Sequence, residues 1–124
     1  MNDIGSLIDQ FIATSIKQYS AYIANDYKLA NKYFKVADRY VCEIKLQSNW
    51  VEEFMPLLED DNINVRIRAA SILLPYKTKR AEQVLKKCML HSGIDGFNAK
   101  MILSEWRSGN LKFPVFENGK VVYK

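Results

Sequence analysis

Apolar residues recur at 3- and 4-residue spacing in six stretches of the chain, the period of a buried helix face. Over residues 3–24 the stripe is Ile4, Leu7, Ile8, Phe11, Ser15, Tyr19 and Tyr22, widened by Ile12, Ile16 and Ile23. Asp3 can cap this helix by accepting from the free N–H groups of its first turn. Asn25 and Asp26 interrupt the pattern and can cap the next helix. Over 27–47 the stripe is Tyr27, Ala30, Phe34, Ala37, Tyr40, Val41 and Ile44, with Lys28, Lys32, Lys35 and Arg39 as a basic outer ridge that Asp38 tempers. A shorter helix at about 50–58 turns Trp50, Phe54, Leu57 and Leu58 inward, with Asn49 and Glu52 as a capping box. Pro56 lies inside it and should bend it.

Glu59, Asp60, Asp61 and Asn62 then form a turn, and Asp61 or Asn62 caps a fourth helix at about 63–75. That helix buries Val65, Ala69, Ala70, Ile72, Leu73 and Leu74 and ends at Pro75. A fifth helix, 79–91, has Thr78 as a candidate cap and Ala81, Val84, Leu85, Cys88 and Met89 inside. Gly93 stops it. A sixth, 95–107, opens on a Ser92–Asp95 capping pattern, turns Phe97, Met101, Ile102 and Trp106 inward and ends at Gly109. The tail is different in kind. Val115–Phe116 and Val121–Val122 flank Glu117-Asn118-Gly119-Lys120, and Asn-Gly suits a type I′ hairpin turn. A short C-terminal β-hairpin or an extended arm is expected from 110 to 124, packed on a helical domain of residues 1–109.

The third and fourth helices and the fifth and sixth read as one unit used twice. Phe54, Leu57 and Leu58 match Leu85, Cys88 and Met89 at an offset of 31, and Ala69, Ile72 and Leu73 match Ala99, Ile102 and Leu103 at an offset of 30. Two helices per period near 30 is the mark of an α-solenoid. The segment LLEDDNINVRIRAASIL resembles the HEAT-repeat pattern: a Leu-rich first helix containing a proline, an Asp in the turn (Asp60 or Asp61), then Val65-Arg66 and Ala69-Ala70. The resemblance implies that Arg66 and the turn Asp brace the fold. Over residues 5–107, helix order and length also resemble the small bacterial HEAT-like domains grouped as domain of unknown function 2019. The second unit has no Val-Arg pair, which favours a compact bundle of three stacked antiparallel pairs over a long superhelix. The fold class expected is therefore all-α, a HEAT-like solenoid or bundle of about six helices. What the resemblance implies about function is binding of a macromolecule. Small bacterial proteins of this kind resemble partners encoded beside contact-dependent or polymorphic toxins, which they block as immunity proteins.

Charge sharpens this picture. The chain of 124 residues carries a net +4, but unevenly. Residues 1–62 hold 6 Lys/Arg and 10 Asp/Glu, whereas residues 63–124 hold 12 and 4. A basic half can serve an acidic protein or a nucleic acid. Candidate chemistry is sparse. His91 is the single histidine, Cys42 and Cys88 match no paired metal or redox motif, and there is no phosphate-cradling glycine loop. Neither an enzyme nor a metal or cofactor site is expected. The opening MNDIGSLIDQ lacks a basic n-region and no apolar run approaches membrane length, so a cytoplasmic protein without membrane contact is expected.

Two uses of a binding surface remain. The first is capture of a protein, such as a cognate toxin, by exposed aromatic and arginine anchors. Its candidate residues are Trp50, Arg68, Tyr76, Lys77, Lys79, Arg80, Trp106 and Tyr123, although packing in the core competes for both tryptophans. The second is binding of nucleic acid by the basic patch at 66–87, where Lys86 and Lys87 join Arg68, Lys77, Lys79 and Arg80. Only Tyr76 is available there for base stacking.

Overall fold

Asp3, Asp26 and Asn62 cap the first, second and fourth helices as the sequence predicts, whereas the sixth starts from Gly93 with no side-chain cap, so the Ser92–Asp95 pattern does not cap it. In the computed structural model, which describes residues 3–124, the Asp3 carboxylate accepts from the Ser6 N–H at 2.8 Å. Met1 and Asn2, where the expected helical domain begins, lie outside the described residues. The elements are α1 (Ile4–Ile23), α2 (Tyr27–Ile44), α3 (Trp50–Phe54), a 3₁₀ turn (Met55–Glu59), α4 (Ile63–Leu73), α5 (Thr78–Cys88), α6 (Ile94–Arg107), β1 (Pro114–Glu117) and β2 (Lys120–Tyr123). The architecture is thus all-α with a short C-terminal antiparallel hairpin. These elements form two compact units. One contains α1 to α3 together with Phe113–Lys124, and the other is Met55–Lys112.

In the first unit α1 and α2 form a helical hairpin. Asp26 caps α2 by accepting from the Leu29 N–H at 3.1 Å. Phe11 is fully buried and meets Phe54 with ring centroids 5.2 Å apart, and Trp50 lies edge-on to Phe54 at 6.0 Å. Several large residues of the expected stripes are not in this core. Ile16, Ile23, Tyr27 and Phe34 are exposed, and α2 buries Ala30, Ala37, Asp38, Val41, Cys42 and Ile44. The alanines are the reason: small side chains let the helices approach, and the aromatics are displaced to the rim. Asp38 is likewise not a surface charge tempering the ridge but is 2% exposed. Its carboxylate accepts a hydrogen bond from the Tyr123 hydroxyl at 2.6 Å, which offsets part of the cost of burying it.

That bond ties the C-terminal hairpin to α2. Asn118 and Gly119 both have positive φ, 53° and 76°, as a type I′ turn requires. The register pairs Pro114 with Tyr123 and Glu117 with Lys120, and an ion pair joins Glu117 to Lys124. Arg39 of α2 lies over the Phe116 ring at 5.7 Å, and Lys45 lies over Phe113 at 5.9 Å. Of the two forms expected for the tail, the molecule adopts the hairpin.

The second unit opens where the helix expected over 50–58 fails. Pro56 has no N–H to donate, so the α-helix ends at Phe54 and the chain tightens into the 3₁₀ turn. Asn62 caps α4, accepting from Asn64 N–H at 2.9 Å and Val65 N–H at 3.2 Å. At the start of α5 the cap position belongs to Lys77 rather than Thr78, whose hydroxyl donates back to the Leu74 carbonyl at 2.6 Å. The repeat matching holds for burial at Phe54 and Leu85, Leu57 and Cys88, Ala69 and Ala99, and Leu73 and Leu103; Met89, the partner of Leu58, is exposed.

Helix α6 is turned away from its expected orientation. Its buried residues are Gly96, Ala99 and Leu103, while Phe97 and Met101 are 58% and 43% exposed. Contact at Gly96 sets this rotation. A Cβ there would stand 1.9 Å from the His91 carbonyl oxygen, so only glycine allows α6 to start against the end of α5.

Candidate binding site

Helix α5 shows how the second unit builds a site. Ala81, Val84, Leu85 and Cys88 at helical spacing bury one face. Arg80, Gln83, Val84 and Lys87 then fall on an adjoining stripe at steps of three and four residues, and His91 follows in the turn past the helix end. That stripe forms one wall of an open concavity of about 840 Å³. Leu58 and Glu59 of the 3₁₀ turn, Arg66 of α4, and Lys86, Cys88 and Leu90 complete its lining. Four permanent cations and one histidine therefore face one carboxylate.

Their partners leave most of that charge uncompensated. Arg80 Nη2 donates to Glu59 Oε1 at 3.0 Å, an exposed pair that is easily exchanged for a ligand carboxylate or phosphate. Arg66 Nη1 donates to the backbone carbonyls of Asp60 at 2.7 Å and Asp61 at 3.1 Å. The brace expected between Arg66 and the acidic turn thus exists, but through carbonyl oxygens. It satisfies carbonyls and leaves the guanidinium charge unneutralised. Beneath it, burial pushes the Cys88 thiol above its ordinary pKa, while the hydrogen bond and charge of Arg66 pull the other way. Cys88 is therefore a neutral thiol at neutral pH. In the first unit burial similarly raises Cys42 and lowers Lys45, whose charge Cys42 and Asp38 partly support.

The expected anchors are scattered. Arg80 alone lines the concavity. Arg68 is a correction: it is 8% exposed, because the inward face of the short α4 includes its position, and it cannot serve as a surface anchor. Trp50 packs in the aromatic core. Trp106 is half-buried, its Nε1 donating to Glu82 Oε2 at 3.2 Å. Tyr76 and Lys79 are exposed and Lys77 is half-buried, all near the beginning of α5 and outside the concavity. Tyr123 is exposed, but its hydroxyl is committed to Asp38. Sequence reasoning placed Lys86 and Lys87 in a basic patch, read Arg66 as a brace of the fold and noted His91 only as the single histidine. The stepping of Arg80, Gln83, Val84 and Lys87 along one helix face was the signal that could have assembled the wall.

Among the described residues no group of His, Cys, Asp and Glu could hold a metal ion, and no helix is long and apolar enough to cross a membrane.

No protein-family model matches the chain, and a search of curated proteins finds no match. Among solved structures, the chain is similar to the crystal structure of the protein RPA1889 from Rhodopseudomonas palustris CGA009. The two share 22% identity at a TM-score of 0.80, over 89% of this chain and 93% of that one. At this identity the similarity establishes a shared fold over the matched part of the chain.

Proposed function

We propose that the protein is a non-catalytic interaction module that binds a protein partner through the basic concavity of residues 55–112. The observation that carries this reading is the composition of the lining: Arg66, Arg80, Lys86 and Lys87 surround an apolar floor of Leu58, Val84 and Leu90. Cations around the exposed Leu90 and the narrow floor left by Leu58 and Val84, which are 2% and 8% exposed, suit an acidic protein surface, where carboxylates meet the rim and an apolar group covers the floor. The protonated Cys88 beneath the floor supports a binding rather than a nucleophilic role. The resemblance to small bacterial HEAT-like domains supports a toxin as the partner and this chain as its immunity protein.

Nucleic-acid binding is the second reading, because the same cations could contact phosphates. No Phe, Tyr or Trp lines the concavity, whose single ring is the His91 imidazole, so bases would find little stacking surface there. A pull-down of the product of the neighbouring reading frame tests the proposal. Co-purification at micromolar concentration that Lys86→Glu with Lys87→Glu abolishes is the expected result. Absence of co-purification, with steeply salt-dependent retention on a nucleic-acid column, overturns it in favour of the second reading.

A further inference from the structure

We infer that the concavity holds an extended acidic segment of the partner with the pattern acid–x–apolar–x–acid, lying along α5. The inference rests on the protein-binding reading and specifies the chemistry of its partner. The cations of the wall do not converge on one point. From Arg80 to Lys87 the helix rises roughly 10 Å, at about 1.5 Å per residue. A lone phosphate or a compact anion would meet only one or two of these groups. An extended chain repeats its same-face side chains about every 6.6 Å. Arg80 to Val84 is a rise of roughly 6 Å, and Val84 to Lys87 roughly 4.5 Å more. One acid therefore faces Arg80, the next same-face residue faces the aliphatic Val84, and the third faces Lys87, whose long side chain absorbs the remaining mismatch. Val84 and Leu58 give this central residue a narrow floor, 8% and 2% exposed, and Leu90, 85% exposed, adds the larger apolar contact beyond Lys87. A phosphate backbone would leave this aliphatic floor uncovered, which is why the occupant is a peptide and not an oligonucleotide.

The test uses the whole chain and fluorescence anisotropy at low salt with three labelled probes. They are a peptide built on Glu-Thr-Leu-Thr-Glu, the same peptide with serine in place of its leucine, and a single-stranded oligonucleotide of equal charge. The leucine peptide should bind, the serine peptide several-fold more weakly, and Lys87→Glu should weaken the leucine peptide by about tenfold. Tighter binding of the oligonucleotide, equal binding of both peptides, or indifference to Lys87→Glu overturns the inference. Lys87 is exposed, so the variant leaves the fold intact, which an unchanged unfolding midpoint verifies. A toxin captured at full strength by Lys87→Glu protein overturns this inference while the protein-binding reading stands. Binding of the leucine peptide without capture of a toxin upholds the inference and overturns the immunity reading.

Discussion

The two units spend their polar residues differently. The first holds 8 Lys/Arg and 8 Asp/Glu, the second 10 and 6, so the whole net charge of +4 resides in the second. The first unit turns several of its polar groups to its own assembly, although Lys28, Lys32 and Lys35 stay exposed on α2. Asp38 is buried against the Tyr123 hydroxyl, and Arg39 and Lys45 cover the aromatic rings of the hairpin. Its helices of 20 and 18 residues close on an aromatic core. The second unit is made of helices of 11, 11 and 14 residues drawn together by small side chains. It leaves Lys86 and Lys87 exposed at the edge of a concavity. Charge used for holding a fold is paired and covered; charge available for a partner is not. On the proposed reading, the first unit is largely structural and the second carries the binding surface.

The largest effect should come from emptying the aromatic core. Phe54 is fully buried against Phe11 and Trp50, so Phe54→Ala should cost about 3–5 kcal/mol of stability in urea unfolding. A loss below about 1 kcal/mol would mean that this unit is not held by its aromatic contacts. The matching experiment in the second unit adds atoms. Gly96→Ala drives a methyl into the His91 carbonyl and should cost about 1–3 kcal/mol, with α6 displaced in a crystal structure of the variant. A neutral effect would refute the close approach that rotates Phe97 and Met101 outward.

Tyr123→Phe should be milder, about 1–2 kcal/mol, because it removes one donor from a buried carboxylate. Faster amide exchange in β1 and β2 of that variant would locate the loss in the hairpin. Smaller still is the pH effect of the thiols. Burial raises both Cys42 and Cys88 above their unfolded values. The folded state then holds protons that the unfolded state releases, so the thiols' contribution is complete below the unfolded value of about 8.5 and is lost as pH rises through the folded values. Urea midpoints measured from neutral to alkaline pH should fall less in Cys42→Ala with Cys88→Ala than in the parent chain.

Most of the helical order was legible because local chemistry decides it. Asp3, Asp26 and Asn62 cap where they stand, and Asn118-Gly119 turns the hairpin. The rotation of α6 was not legible, because apolar periodicity weights large residues. Phe97 and Met101 outweigh Gly96 and Ala99 on a hydropathy pattern, yet the small residues win where backbones approach. Arg68 misled for a similar reason, since a charged residue on a short helix reads as exposed. The concavity was illegible as a whole. It joins Leu58 and Glu59 to Arg80 and Lys87, more than twenty residues along the chain, and only tertiary packing brings them together. Its α5 wall alone was written in helical spacing.

The central claim is that binding belongs to the second unit, and charge reversal within each unit tests it directly. Lys32 and Lys35 are exposed on α2 of the first unit, as Lys86 and Lys87 are on α5 of the second. Partner capture should be measured for Lys32→Glu with Lys35→Glu and for Lys86→Glu with Lys87→Glu, alongside the parent chain at one salt concentration. The account predicts affinity lowered by about tenfold or more for the α5 pair and left within about twofold by the α2 pair. Equal losses from both pairs, or loss from the α2 pair alone, would contradict it.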